Sequence, residues 1–157
     1  MSKTIDSIIN SYHQFWFGLN DVYDQWVKEH HLTVNTLFTL YAIHSAPAGC
    51  TQRMICEQLL LPKQTVNTLL NGLEQQGYLQ RIPDEKDKRS KQVRLTAAGQ
   101  QYTDRLLAEL HDWECRALGQ MEPEHRETLI STSLLFLQQL RLAAASGSEQ
   151  ALAAGKE

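Results

Sequence analysis

The sequence predicts a mainly α-helical fold of about six helices with one two-stranded β-hairpin, and three observations predict it. Apolar residues recur at three- and four-residue steps through most of the 157 residues. Between Tyr78 and Leu95 that period breaks into two short strand-like segments around a charged run. Residues that start and stop helices punctuate the chain: Thr33, Thr51 and Thr96 as N-caps, Pro123 at a first helical position, and Gly77 as a stop.

Taken in order, Ile5 to Glu29 reads as a helix. It lacks Pro, and Ile8, Ile9, Tyr12, Phe15, Trp16, Leu19, Tyr23 and Trp26 keep the helical period. His30 and His31 mark a break. Thr33 caps a second helix carried by Leu37, Leu40, Tyr41 and Ile43, ending near Pro47 and Gly49. Thr51 caps a short third helix, Gln52 to Leu59, with Ile55, Leu59 and Cys56 as its inward candidates. Leu60, Leu61 and Pro62 form a tight turn. A fourth helix follows from about Lys63 to Gln76, with Val66, Leu69, Leu70 and Leu73 in one apolar stripe and Gly77 in the left-handed conformation at its end.

Tyr78 to Arg81 reads as a strand, Pro83 to Ser90 as a charged loop, and Lys91 to Leu95 as a half-exposed strand that alternates polar and apolar residues. Thr96 caps a fifth helix reaching about Leu118, with Leu106, Leu107, Leu110, Trp113 and Ala117 as its stripe. Pro123 opens a sixth, carried by Leu129, Ile130, Leu134, Leu137 and Leu140. The Ala/Gly/Ser-rich tail is expected to fray, so 146–157 is read as flexible.

Composition bounds the function. A hydrophobic content of 42% and a charged content of 21% describe a folded chain. No apolar run approaches the roughly 20 residues that span a bilayer, and the polar start MSKTIDS has no signal-peptide pattern. No membrane partner is expected. The three cysteines, Cys50, Cys56 and Cys115, are odd in number and lack CxxC spacing, which fits reduced thiols in a cytoplasmic protein. The net charge of -3 is unevenly spread. From Cys50 to Arg94 there are eight basic and five acidic residues, a net of +3; the rest has seven basic and thirteen acidic, a net of -6. Positive charge gathered in one segment is the footprint of phosphate binding.

Two helices joined by a tight turn and followed by a hairpin make a winged helix-turn-helix. The fourth helix carries Lys63, Gln64, Thr65, Asn67, Thr68 and Asn71 opposite its apolar stripe. Gln and Asn can pair with adenine in the major groove, and Thr can meet a thymine methyl or a phosphate. A solvated polar face on an ordinary amphipathic helix reads equally well from this pattern alone.

The run Arg81-Ile82-Pro83-Asp84-Glu85-Lys86-Asp87-Lys88-Arg89-Ser90, followed by Leu95-Thr96-Ala97-Ala98-Gly99, resembles the wing signature of the MarR family of bacterial regulators. Leu69, Leu73, Glu74, Gly77 and Arg81 fit the same pattern upstream, as does Leu32-Thr33. The motifs cover roughly 32–99, and the helix order extends the resemblance over nearly the whole chain. The turn at Leu60-Leu61-Pro62-Lys63 departs from it, being more apolar than the Gly- or Asn-containing turn often found there.

The resemblance implies a non-enzymatic regulator that binds double-stranded DNA as a homodimer on a palindromic operator, acting as a ligand-responsive repressor. It implies that Arg89, held by Asp87, enters the minor groove, and that Lys86, Lys88 and Lys91 bind phosphate. Gln52 and Arg53 are further phosphate-contact candidates. On this reading 33–96 is the DNA-binding domain, while 1–32 and 97–145 supply dimerisation helices. A monomeric bundle is the alternative for those helices, but it leaves a large apolar patch uncovered.

Small aromatic effectors are common in the family, and Tyr12, His13, Trp16, Phe38, Tyr41 and Trp113 are candidate lining residues. Plain core is the competing reading of those rings. No cofactor is implied. His111 and Cys115 stand at i, i+4, but two ligands do not make a metal site, and Glu114 or His44 would have to join them. Cysteine-based redox sensing is the other regulatory alternative, with Cys50 and Cys56 beside the helix-turn-helix. No Gly-rich phosphate loop, nucleophile motif or acid/base pair supports an enzyme. A winged module that binds only protein would leave the basic wing without a role.

Overall fold

The computed structural model describes 4–46, 49–83 and 91–154, with side chains to 145. In chain order the elements are α1 (Ile5–Glu29), α2 (Val34–His44), β1 (Cys50–Thr51), α3 (Gln52–Leu59), α4 (Lys63–Gln75), β2 (Leu79–Pro83), β3 (Lys91–Leu95), α5 (Ala97–Gly119) and α6 (Pro123–Ala154). The chain divides into two compact units, Met1–Leu107 and Ala108–Glu157. No helix among the described residues is long and apolar enough to cross a membrane.

Within the first unit the caps form as the sequence predicts. Thr33, Thr51 and Thr96 each accept a hydrogen bond from the backbone N–H three residues on, at 3.1, 3.3 and 3.0 Å. His31 breaks the chain between α1 and α2 with a φ of 56°. α3 ends on Leu60, which takes the left-handed conformation (φ 54°) that glycine usually fills, and its side chain is 86% exposed. α4 ends at Gly77, φ 76°, where the Gly77 and Tyr78 N–H groups donate to Glu74 and Leu73 carbonyls.

The core of this unit gathers Val27 of α1, Leu37, Leu40 and Ile43 of α2, Ile55 of α3, Val66, Leu70 and Leu73 of α4, Leu79 of β2, Val93 of β3 and Leu106 of α5. These residues come from every element of the unit except β1, whose Cys50 is itself buried. Leu69, counted with the apolar stripe of α4, is only half-buried. The N-terminal half of α1 contributes nothing to this core: Ile5, Ile8, Phe15, Trp16 and Phe17 are exposed.

The sheet differs from the predicted two-stranded hairpin. It has three antiparallel strands in the order β1-β3-β2, with Cys50 opposite Val93 and Thr51 opposite Gln92. The reason is the cap: Thr51 must be extended to receive the Met54 N–H, at φ -115° and ψ 156°, so the chain entering α3 already has strand geometry. β2 starts one residue later than predicted because the Tyr78 N–H is spent closing α4, and it runs on to Pro83 opposite Lys91.

In the second unit, Arg126 near the start of α6 donates to the carbonyls of Met121 (2.8 Å) and Gly119 (3.3 Å), satisfying acceptors that the end of α5 leaves open. α6 extends to Ala154, past the point where the tail composition predicted fraying. Gly147 is the one strong helix breaker between Ala143 and Ala154, and the alanines there are the best helix formers. Ile130, Leu134 and Leu135 on this helix are 59%, 60% and 55% exposed.

Candidate nucleic-acid interface

α4 presents three stripes, fixed by its period. Val66, Leu70 and Leu73 are buried. One residue on, Asn67, Asn71 and Glu74 form a second stripe, turned toward β2. Gln64 and Thr68 lie farthest from the core, and both are exposed. Lys63 and Asn71 are also exposed, while Thr65 and Asn67 are half-buried. The predicted polar face is therefore real but not uniform. Gln64 and Thr68 face outward, and Asn67 and Asn71 stand at its flank.

That flank is organised by Arg81. Its guanidinium donates to Asn67 Oδ1 at 3.1 Å and to Asn71 Oδ1, and meets the Glu74 carboxylate through Nε at 3.2 Å and a terminal nitrogen at 3.1 Å. Glu74 also accepts the Arg81 backbone N–H at 3.2 Å. Charge-assisted bonds of this kind are stronger than neutral ones, and the Arg81 side chain is only 15% exposed. Sequence reasoning used Arg81 and Glu74 as motif residues and gave neither a role at the interface. Their seven-residue separation across a helix-to-strand corner has no periodic signature.

Around the helix, Gln52 donates its side-chain amide to the Lys63 carbonyl at 3.0 Å, tying the start of α3 to the start of α4. Gln52, Lys63, Gln64 and Asn67 line one open depression. Arg53 is exposed but pairs with Glu57 one turn on, at 2.7 Å. Thr68 returns its hydroxyl to the Gln64 carbonyl at 3.1 Å. Lys91 stands exposed at the start of β3. Arg94, a basic residue on the same strand, is exposed and held to Gln92 Oε1 at 2.8 and 3.2 Å. Lys86, Asp87, Lys88 and Arg89 lie outside the described residues.

The six candidate effector residues are spread over both units. Tyr12 and His13 have ring centroids 5.9 Å apart, while Phe38 meets Tyr23 at 6.3 Å. Trp16 and Tyr41 are 51% and 45% exposed, and Trp113 in the second unit is half-buried. A second depression is lined by Ile43, His44, Ala46, Gly49, Val93, Arg94, Leu95 and Gln100, and none of the six lines either depression.

His111 and Cys115 do approach, with Cys115 Sγ 3.4 Å from His111 Nε2. No group of three or more potential ligands gathers among the described residues. His44 pairs instead with Asp104, at 2.8 Å. Burial pushes the Cys50 thiol up to about 11. A thiol held so far from ionisation is a poor oxidant sensor.

Residues 30–90 match a family model described as the MarR family. The chain is 30% identical over 77 residues to the HTH-type transcriptional regulator SarZ of Staphylococcus haemolyticus, covering 49% of this chain and 52% of that one. It therefore spans about half the length of that relative. An uncharacterised HTH-type transcriptional regulator of Bacillus subtilis, YkoM, is 28% identical over 132 residues, 82% of this chain and 84% of its own. Among solved structures, the Staphylococcus aureus MepR–DNA complex has a TM-score of 0.71 at 22% identity, covering 88% of this chain and 99% of that one. That likeness is one of fold.

Proposed function

We propose that the chain is a transcription regulator of the MarR family that binds double-stranded DNA sequence-specifically, as a homodimer on a palindromic operator, a reading supported by the family-model match over 30–90 and by the similarity to HTH-type regulators. The observation that carries this reading is the outward face of α4. A helix whose exposed turn holds Gln64, Thr68 and Asn71, led by Lys63 and flanked by the sheet with exposed Lys91 and Arg94, has the dimensions and chemistry of a major-groove reader. Gln64, Thr65, Asn67, Thr68 and Asn71 read bases. Lys63, Gln52, Arg53, Lys86, Lys88 and Lys91 contact phosphate, and Arg89 braced by Asp87 probes the minor groove.

The exposed apolar residues of α1 and α6 support the homodimer. Phe17 at 69%, Leu134 at 60% and Ile130 at 59% exposure are costly to leave in water, and a second copy is the partner that also gives the operator its two-fold symmetry. The dimerisation helices are 1–32 and 97–145. We assign the protein as a repressor released by a small aromatic molecule, for which the rings of the first unit, Tyr12, His13, Trp16, Phe38 and Tyr41, are the candidate contacts.

A salt titration of duplex binding tests the core of this reading. Affinity falls steeply with salt if the basic residues release counterions from phosphate, and a flat dependence removes the DNA assignment. Arg89→Ala is expected to weaken operator binding several-fold while the dimer persists in sedimentation; unchanged binding removes Arg89 from the interface. For the effector, aromatic acids should raise the melting temperature of the wild type and not of Trp16→Ala. A panel without a hit removes the effector assignment.

A further inference from the structure

We propose that Arg81 pins the carboxamides of Asn67 and Asn71 in one orientation and thereby sets which base edges α4 accepts, an inference that rests on the DNA-binding reading above. A guanidinium has five N–H donors and no acceptor, so only the oxygen end of a neighbouring carboxamide can face it. Arg81 faces two such oxygens, Asn67 Oδ1 at 3.1 Å and Asn71 Oδ1. Its own plane is fixed from the other side by Glu74, through Nε at 3.2 Å and a terminal nitrogen at 3.1 Å. The backbone of β2 is tied in as well, since the Arg81 N–H reaches Glu74 at 3.2 Å and Arg81 lies opposite Val93 in the sheet.

The consequence is chemical. A freely rotating Asn reads adenine with both ends, Nδ2 donating to N7 and Oδ1 accepting from N6. With the oxygen turned to Arg81, that two-ended contact is disfavoured and the Nδ2 amide is what remains to offer the groove. Among the described residues, neither Nδ2 has a partner. Donors alone suit an edge that carries acceptors, guanine O6 and N7 foremost, and disfavour the cytosine amino group. Arg81 is thus a positioning residue that acts on base choice through Asn67 and Asn71.

The test is selection of bound sequences from a random duplex pool by the full-length wild type, Arg81→Met and Asn71→Asp, with circular-dichroism melts alongside. Met keeps length but removes every donor, freeing both carboxamides. Asp keeps an acceptor for Arg81 but replaces the outward donor. The wild type is expected to select guanine at the positions under α4. Arg81→Met should shift those positions toward adenine, with non-specific binding within a few-fold of wild type. Asn71→Asp should lose the guanine selection while keeping the fold. If folded Arg81→Met selects the wild-type bases, the proposal is wrong. Should that variant fail to fold, unchanged selection by Asn71→Asp overturns the proposal equally. A wild type that enriches no sequence sinks the DNA-binding premise itself, a result distinct from unchanged selection by the variants.

Discussion

The carbonyl oxygen of Tyr78 sits against Gly99 so closely that a β-carbon on Gly99 would stand 1.7 Å from it. Two bonds hold the approach: the Thr96 N–H donates to that same oxygen at 3.0 Å, and the Thr96 hydroxyl donates to the Gly77 carbonyl at 2.6 Å. The Leu-Thr-x-x-Gly run is therefore a joint between the end of α4 and the start of α5, with Thr96 as cap and fastener and Gly99 as the gap. Gly99→Ala forces backbone apart, because the obstructing atom is a carbonyl and not a flexible side chain. It is expected to cost about 3 kcal/mol or more in urea unfolding. A β-carbon added to Gly72 of α4 would meet no atom within 4 Å, so Gly72→Ala should instead stabilise by about 1 kcal/mol. Equal midpoints for the two variants would refute the joint.

Thr39 and Thr103 are fully buried, and among the described residues neither hydroxyl has a hydrogen-bond partner. Each lost its water without replacement, a cost of about 1 kcal/mol or more. Valine keeps the β-branch and nearly the shape. Thr103→Val is thus expected to raise stability by about 1 kcal/mol, or about 3 °C in Tm for a chain of this size. A drop in Tm would mean that the hydroxyl is satisfied in solution.

Signals contained within a few residues could be read from the sequence, and signals set by distant partners could not. Thr51, Thr96, Pro123 and Gly77 mark element ends through their own backbone chemistry, and the structure places α3, β3 and the starts of α4 and α6 accordingly. β1 escaped because two residues have no period, and its partner Val93 lies more than forty residues on. The polar face of α4 could be seen from spacing. Its division into outward Gln64 and Thr68 and flanking Asn67 and Asn71 could not, because that depends on where β2 brings Arg81. The Leu60 turn shows the same limit: nothing in Leu60-Leu61 announces a left-handed residue, and Leu60 adopts one because α3 must stop before Pro62.

Cys50 should make stability depend on alkaline pH. Burial raises its thiol from 9.0 to about 11, so below pH 9 it is neutral in both folded and unfolded chains and contributes no slope. Between about pH 9 and 11 the unfolded chain ionises first and stability is lost as pH rises. The stability difference between wild type and Cys50→Ala should be constant from pH 6 to about 8.5 and then move against the wild type. A constant difference up to pH 11 would show that the thiol is not desolvated. Alkylation under native conditions should likewise spare Cys50 until denaturant is added.

The basic residues of the interface should not contribute equally to DNA affinity. Lys91 is exposed at the start of β3, and on the proposed DNA-binding reading it contacts phosphate. Arg53 is also exposed, but its Nε is 2.7 Å from Glu57. Phosphate must compete with that carboxylate for the same donor, and the carboxylate brings its own repulsion. Lys91→Ala should therefore weaken binding across all sequences and reduce the slope of log affinity against log salt by about 1. Arg53→Ala should do markedly less. Glu57→Gln separates the two causes, since it keeps the side chain and removes the competing charge. It should tighten binding several-fold and steepen the salt dependence, and only when Arg53 is present. If Arg53→Ala weakens binding as much as Lys91→Ala, and Glu57→Gln changes nothing, the pair opens on DNA without cost and the exposed ion pair carries no regulatory weight.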